Sequence, residues 1–138
     1  MKTQKIVIDT NALISFVTDR NVEQQLEVAP LFEKAANLDL LLLCPQNVLT
    51  EFVHVLDNVY GVEKSLIKQM LEDLTLMPGV QVVHEIDFTL LFSYWPDQIP
   101  DLGDAIVASV CKATTNAAIV TFDRKFKKVL DRLAIPSI

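Results

Sequence analysis

Short apolar runs alternate along the chain with longer stretches whose apolar residues recur at helical spacing. The runs predict buried strands at residues 6–8, 39–44, 80–83 and 117–121, with a fifth, short strand at 134–138. The stretches between them predict helices at 12–17, 23–37, from Pro45 to Gly61, 66–74, 85–95, from Asp101 to Asn116, and from Asp123 onward.

Strands that alternate with helices favour a parallel sheet covered by helices, joined by right-handed crossovers. Pro45 suits the first turn of the helix that it opens. Pro30 lies inside the predicted helix 23–37, and it predicts either two helical pieces or a kink. We therefore expect one α/β domain over residues 1–138, with a central sheet of four or five strands.

The composition predicts a soluble, cytoplasmic protein. Apolar residues make up 51% of the chain, but the longest apolar run, 40–44, is far shorter than the roughly 20 residues of a membrane-spanning helix. The few residues before the first strand leave no room for a signal peptide. Cys44 and Cys111 lack a CxxC partner, so we expect buried free thiols rather than a metal or redox site.

Acidic residues follow the predicted strands or begin the predicted helices at four places. They are Asp9, Glu51, Asp104 and Asp123. Because the carboxyl ends of parallel strands meet at one edge of a sheet, these residues can face the same edge, where such proteins bind ligands. Clustered carboxylates raise each other's pKa, and divalent cations such as Mg²⁺ relieve the repulsion and favour oxygen ligands.

Helix capping explains the same positions equally well at this point. Asp9 and Asp123 stand where N-caps are expected, and Asp101 with Asp104 resembles a capping box. Glu51 can be an ordinary surface residue beside the apolar stripe of its helix. Spacing alone leaves a metal cluster and a set of helix caps both open.

Four local segments carry a family resemblance. They are Ile-Val-Ile-Asp-Thr-Asn-Ala-Leu (6–13), Leu-Thr-Glu-Phe (49–52), Asp-Leu-Gly-Asp-Ala-Ile-Val-Ala (101–108) and Ile-Val-Thr-Phe-Asp (119–123). In this order and spacing the chain resembles the PIN domain, most closely the small toxin ribonucleases of VapC-like toxin–antitoxin pairs. The resemblance covers nearly the whole chain.

The resemblance implies a three-layer α/β/α sandwich and a metal-dependent endoribonuclease that uses one or two Mg²⁺ or Mn²⁺ ions. It assigns catalysis to Asp9, Glu51, Asp104 and Asp123, with Asp9, Asp104 and Asp123 as metal ligands. The supporting positions that it implies are Thr10, Asn11, Asp101 and Thr121. It also implies an RNA substrate, a cognate antitoxin protein and a homodimer.

Basic residues are concentrated near the end of a chain whose net charge is −6. Five of the twelve lie in one short window: Arg124, Lys125, Lys127, Lys128 and Arg132. We interpret Arg124, Lys125 and Lys128 as candidate contacts to the RNA backbone, since phosphate binding depends on local positive charge. A solvated helix face is the alternative interpretation of this window.

Other functions remain possible for the same sequence. A PIN-fold nuclease of RNA processing would share every motif with a toxin. A non-catalytic binding module would retain the acids as caps only. The aromatic residues Phe92, Tyr94 and Trp95 are candidates for a dimer contact or for ordinary core packing.

Overall fold

A computed structural model describes residues 3–138; residues 1 and 2, which the single-domain prediction includes, lie outside the described residues. The strands are β1 (Lys5–Ile8), β2 (Leu41–Pro45), β3 (Val80–Val83) and β4 (Ala117–Val120). The helices are α1 (Thr10–Val17), α2 (Val22–Ala36), α3 (Gln46–Asn58), α4 (Lys64–Leu76), α5 (Phe88–Tyr94), α6 (Leu102–Ala113) and α7 (Arg124–Arg132).

The strands form one parallel sheet in the order β3-β2-β1-β4. Ile6 at the centre pairs with Leu42 on one side and with Ala118 on the other. The side chains of Ile6, Val7 and Ile8 are wholly inaccessible to solvent. A strand buried on both faces must be apolar at every position, which is why β1 is a continuous run of branched residues.

Helices cover both faces of the sheet, so the three-layer α/β/α sandwich is confirmed. Helices α2 and α3 pack on β2 and α4 packs on β3, while α6 packs on β1, β2 and β4 with α5 against it. The chain runs from β1 outward to β3 and then returns to β4 on the far side of β1. With right-handed crossovers, that reversal places α1–α4 and α5–α6 on opposite faces.

Two helices differ in detail from the predictions. Helix α2 is one continuous helix through Pro30, so the two-piece alternative is wrong, and a kink at Pro30 stays a prediction. Pro30 lies on the exposed side of the helix, where water can replace the backbone donor that proline lacks. Helix α5 begins at Phe88 behind an Asp87 N-cap, so it is shorter than the predicted 85–95.

The sheet has four strands within residues 3–138. The predicted fifth strand at 134–138 is reduced to a single parallel bridge between Ile119 and Ser137. Cys44 and Cys111 are buried free thiols, as predicted. No helix in the described part of the chain combines the length and the apolar character needed to cross a membrane.

Candidate active site at the carboxyl edge of the sheet

Asp9 stands directly after β1, in the centre of the sheet edge. Its side chain caps α1, with Oδ1 accepting a hydrogen bond from the Ala12 amide at 2.9 Å. The residue is only 5% exposed. A short polar side chain between a buried strand and a helix start is the usual N-cap arrangement, and the sheet position adds deep burial to it.

Glu51 reaches the same edge from α3. Its Oε2 accepts a hydrogen bond from the Thr10 hydroxyl at 3.0 Å. Thr10 is the first residue of α1 and is itself buried. This contact joins the helix after β1 to the helix after β2 and orients an otherwise exposed carboxylate.

Asp104 lies in the first turn of α6, which Asp101 caps. Asp101 Oδ1 accepts a hydrogen bond from the Asp104 amide at 2.9 Å, and this leaves the Asp104 side chain free of the capping role. Gly103 allows close approach here: a Cβ at that position would lie 3.8 Å from Glu51 Oε2 and 3.1 Å from Asp101 Oδ1.

Asp123 caps α7 beside β4. Its Oδ1 accepts hydrogen bonds from the amides of Lys125 at 2.9 Å and Phe126 at 3.1 Å. Its own amide donates to the hydroxyl of Thr121, a wholly buried residue, at 3.2 Å. The supporting position Thr121 therefore fixes the turn that brings Asp123 back to the sheet edge.

Most of these side chains line one small cavity of about 30 Å³. Its walls are Asp9, Thr10, Asn11, Asn47, Val48, Glu51, Gly103, Asp104 and Val107. Asp123 lines the adjoining hollow, which also includes Asn11. Arg124, Lys125 and Lys128 line neither space and are exposed on α7.

The electrostatics show that the carboxylates act on one another. Burial, followed in size by the charge of Asp101 and then of Asp9, Asp123 and Glu51, raises the pKa of Asp104 to about 7. Burial also raises the pKa of Asp9 to about 6, with Asp123 and Glu51 adding to the rise. Hydrogen bonds from Thr121 and the Ala12 amide act in the opposite direction on Asp9.

Capping and clustering therefore occur together at this edge. Asp9, Asp101 and Asp123 are N-caps, as the simpler interpretation predicted, but each cap uses Oδ1. Glu51 and Asp104 cap no helix. In residues 3–138 the ion pairs are Lys64–Asp57 and Lys68–Glu72, so no basic side chain neutralises the clustered acids.

The donor set suits a hard divalent cation, since the cavity is lined by three carboxylate side chains together with hydroxyl and amide side chains. Asn47 adds a neutral oxygen: its Oδ1 is buried without a hydrogen-bond partner, while its Nδ2 donates to the Gly103 carbonyl at 3.4 Å. Among residues 3–138, no three His, Cys, Asp or Glu side chains already surround one metal position.

Two larger hollows lie at the opposite edge of the sheet. One of about 400 Å³ is lined by residues that include Gln4 and Asn116, and another of about 500 Å³ includes Lys5 and Asn116. Both adjoin the amino ends of β1 and β4, where parallel sheets do not bind ligands. Neither gathers carboxylates, so chemistry rather than size identifies the candidate site.

Sequence reasoning missed two residues at this edge. Asn47 lies four positions before Glu51 on the same helix, and that spacing is a signal that could have placed it beside the acid. Arg20 lies in the connection between α1 and α2 and lines the hollow next to Asp123. No local pattern marks Arg20, because only the packing of α2 brings this connection to the site.

Fold and site together define a parallel α/β protein with an acidic, oxygen-lined cavity at its ligand-binding edge. The PIN domain family model matches residues 6–131, a span that runs from the second residue of β1 to the last but one of α7. The chain belongs to the PIN domain family, whose members are generally metal-dependent nucleases. A comparison with curated proteins found no match.

Proposed function

We propose that this PIN domain protein is a metal-dependent endoribonuclease. The observation that carries the proposal is the convergence of Asp9, Glu51 and Asp104 on one cavity, with Asp123 close enough to raise the pKa of two of them. Helix capping does not require carboxylates to be held against their mutual repulsion. The nuclease chemistry of the PIN family supports the same conclusion.

Each side chain has a role in the proposal. Asp9, Asp104 and Asp123 hold one or two Mg²⁺ or Mn²⁺ ions, and Glu51 completes the catalytic set. When bound, the ions activate a water nucleophile and stabilise charge on the phosphate. The supporting residues orient these carboxylates or fix their helix starts: Thr10, Asn11, Asp101 and Thr121.

The RNA backbone lies along the start of α7 in this proposal. Arg124, Lys125 and Lys128 are exposed, and their helix begins at Asp123. A negatively charged chain needs such a patch, because the net charge of −6 opposes RNA binding elsewhere on the surface. The patch supplies attraction to phosphate next to the acidic cavity.

We propose further that the protein is the toxin of a type II toxin–antitoxin pair in the cytoplasm, neutralised by a cognate antitoxin. The support is the resemblance of the four motif segments to those of VapC-like toxins. Growth arrest on expression, relieved by a small protein encoded immediately upstream, would be the expected result. Expression without growth arrest would favour an RNA-processing nuclease.

Homodimerisation is part of the proposal. Phe88 and Phe92 are 59% and 60% exposed on α5, with ring centroids 5.9 Å apart. Tyr94 is buried, and the indole N–H of Trp95 donates to the Pro100 carbonyl at 3.1 Å. The dimer contact therefore centres on Phe88 and Phe92, and sedimentation of a Phe88→Ser, Phe92→Ser double variant tests it.

The test of the nuclease compares Asp9 and Asp104, which line the cavity, with a helix-capping aspartate elsewhere in the fold. Asn caps a helix as well as Asp does, so Asp9→Asn removes charge without removing the cap. We expect Asp9→Asn and Asp104→Asn to abolish Mn²⁺-dependent cleavage of a tRNA and rRNA panel. Asp87→Asn is the matched control, because Asp87 caps α5 away from the cavity, with Oδ1 3.1 Å from the Leu90 amide.

The outcomes separate the alternatives. Cleavage by the wild-type chain and the control, but not by folded Asp9→Asn, supports the nuclease. A non-catalytic binding module predicts no cleavage by any form and no effect of metal. Cleavage retained in both cavity variants would overturn the assignment of the site.

A further inference from the structure

The guanidinium of Arg20 is held in a fixed position beside the candidate active site. Its Nε donates to the Ser15 hydroxyl oxygen at 3.0 Å, and Nη2 donates to the same oxygen at 2.9 Å and to the Asn11 carbonyl at 2.8 Å. Ser15 is wholly buried, and its hydroxyl donates a hydrogen bond to Gln24 Oε1 at 2.8 Å. An otherwise flexible side chain is thereby anchored at one end of its fork.

The other end of the fork remains available. In residues 3–138, Nη1 of Arg20 has no hydrogen-bond partner, and the guanidinium forms no ion pair. Arg20 is exposed at this position. A guanidinium oriented by neutral partners keeps its full positive charge for an external anion.

The surface around Arg20 is a polar hollow of about 360 Å³. It is lined by Asn11, Arg20, Asn21, Gln24, Phe122 and Asp123. Asn11 also lines the carboxylate cavity, so the hollow and the cavity adjoin at that residue. Arg20 is the cationic residue of this lining. Asp123 is its acidic residue, and the charge of Asp123 also raises the pKa of Asp9 and Asp104 in the cavity.

The position of Arg20 matters because the proposed substrate carries the same charge as the cavity. A phosphodiester approaching a group of clustered carboxylates is repelled by them, and the basic residues of α7 lie outside both spaces. Nη1 of Arg20 keeps two N–H groups for phosphate oxygens, and the bonds of Nε and Nη2 to Ser15 and Asn11 fix their direction, which a flexible ammonium group does not offer. A fixed arginine at the rim would hold the strand where it enters the cavity.

We propose that Arg20, with Asn21 and Gln24, forms a subsite for a backbone phosphate of the RNA strand next to the carboxylate cavity. The subsite rests on the proposed ribonuclease function. Arg20 binds substrate and takes no part in bond cleavage. Phe122, half-buried in the same lining, provides the apolar wall of the hollow.

The test measures binding of a short single-stranded RNA in EDTA to full-length chain carrying Asp104→Asn, so that the RNA is not cut. Adding Arg20→Gln removes the positive charge and keeps a polar side chain. We expect this variant to bind RNA about five- to tenfold more weakly. The slope of log Kd against log salt should fall by about 0.7, the value for one contact to single-stranded nucleic acid.

Arg132→Gln is the matched control, since it removes the same charge from the far end of α7. Thermal unfolding of both variants checks that a change in binding is not a loss of fold. Adding Arg20→Lys should preserve the salt slope while weakening binding, because the charge remains but the guanidinium that Ser15 and Asn11 hold in place is lost.

Wild-type affinity and salt slope in a folded Arg20→Gln variant would overturn the subsite while leaving the nuclease proposal in place. An equal loss in Arg132→Gln would also overturn it, because the effect would then be one of net charge. Failure of the Asp104→Asn chain itself to bind RNA would count against the proposed function and the subsite together.

Discussion

The Thr10 hydroxyl donates a hydrogen bond to Glu51 Oε2 at 3.0 Å, although 41 positions separate the two residues in sequence. Thr10 begins α1 and is buried at the sheet edge, whereas Glu51 projects from α3. The bond therefore joins α3, which carries Glu51, to the start of α1, where Asp9 is the N-cap. It also sets the direction of a side chain that would otherwise be free in solvent.

Replacing Thr10 with Val removes this bond and keeps the shape of the buried side chain. A hydrogen bond to a charged group contributes about 1.5–3 kcal/mol. If Glu51 is catalytic, as proposed, Thr10→Val should therefore lower the rate of RNA cleavage by about tenfold or more. Initial rates of RNA cleavage measure the effect. Thr75→Val is the control, since that hydroxyl bonds only to carbonyls within α4.

Asn47 should affect metal affinity more than fold stability. Its buried Oδ1 has no partner in the described residues, and a bound cation or its hydration shell would provide one. We expect Asn47→Ala to weaken Mn²⁺ binding by about tenfold in calorimetry, which corresponds to about 1.4 kcal/mol. Asn58→Ala, on the same helix but bonded to His54, should bind Mn²⁺ like the wild-type chain.

Stability of the metal-free protein should decrease as the pH rises. Asp9 and Asp104 have folded pKa values of about 6 and about 7, both above the ordinary 3.8. Between the unfolded pKa of 3.8 and its folded pKa, each carboxyl group is more often protonated in the folded state than in the unfolded state. The free energy of unfolding therefore falls as the pH rises through this range, and the loss is complete above the folded pKa. Urea unfolding in EDTA should give a larger free energy near about pH 5 than near about pH 8.

Asp104→Asn isolates this effect from the other titrating groups. The variant lacks the carboxylate with the more strongly raised pKa, so its stability should depend less on pH across the same range. An identical pH dependence in wild-type and variant chains would contradict the raised pKa of Asp104, which burial and then the neighbouring carboxylates cause.

Charge reversal on α7 tests the proposed RNA surface. Lys125→Glu with Lys128→Glu should weaken RNA binding and cleavage at low salt, with the deficit shrinking as salt screens the contact. Both residues are exposed, so the fold should tolerate the change. Unchanged binding and cleavage would show that this helix face is merely solvated.

Gly79 should be essential for the fold. A Cβ at this position would lie 2.3 Å from the Ala35 carbonyl oxygen and 2.8 Å from that of Leu40, both backbone atoms that cannot move independently. Gly79→Ala should lower the free energy of unfolding by about 3 kcal/mol, the upper end for overpacking. Gly61→Ala meets no atom within 4 Å but has φ +63°, so it should cost only about 1 kcal/mol.

The strands and the acids at their ends were predictable from sequence. Buried parallel strands need apolar residues at every position, so Ile6, Val7 and Ile8 mark β1 without any tertiary information. Local chemistry likewise marked Asp101 and Asp123 as helix caps, because capping depends only on neighbouring backbone amides. Strand burial and helix capping depend on residues close together in the chain, so the sequence alone predicts them.

Other features depend on contacts between distant parts of the chain. Helix α2 continues through Pro30, which faces solvent, and the pattern of apolar positions did not reveal this. The predicted strand at 134–138 forms only the bridge at Ser137. Arg20 reaches the site through Ser15 and Gln24, whose pairing follows from how α2 packs on α1.

Sequence by itself determined that acids would stand at the carboxyl ends of buried strands and at helix starts. Only the tertiary structure decided that Asp9, Glu51 and Asp104 share a cavity, that Asn47 adds an unpartnered oxygen to it, and that a fixed Arg20 adjoins it. The physical reason is the distance along the chain over which each interaction acts. Helix capping and strand burial involve residues a few positions apart, whereas carboxylates raise each other's pKa only when strand order and helix packing bring them together.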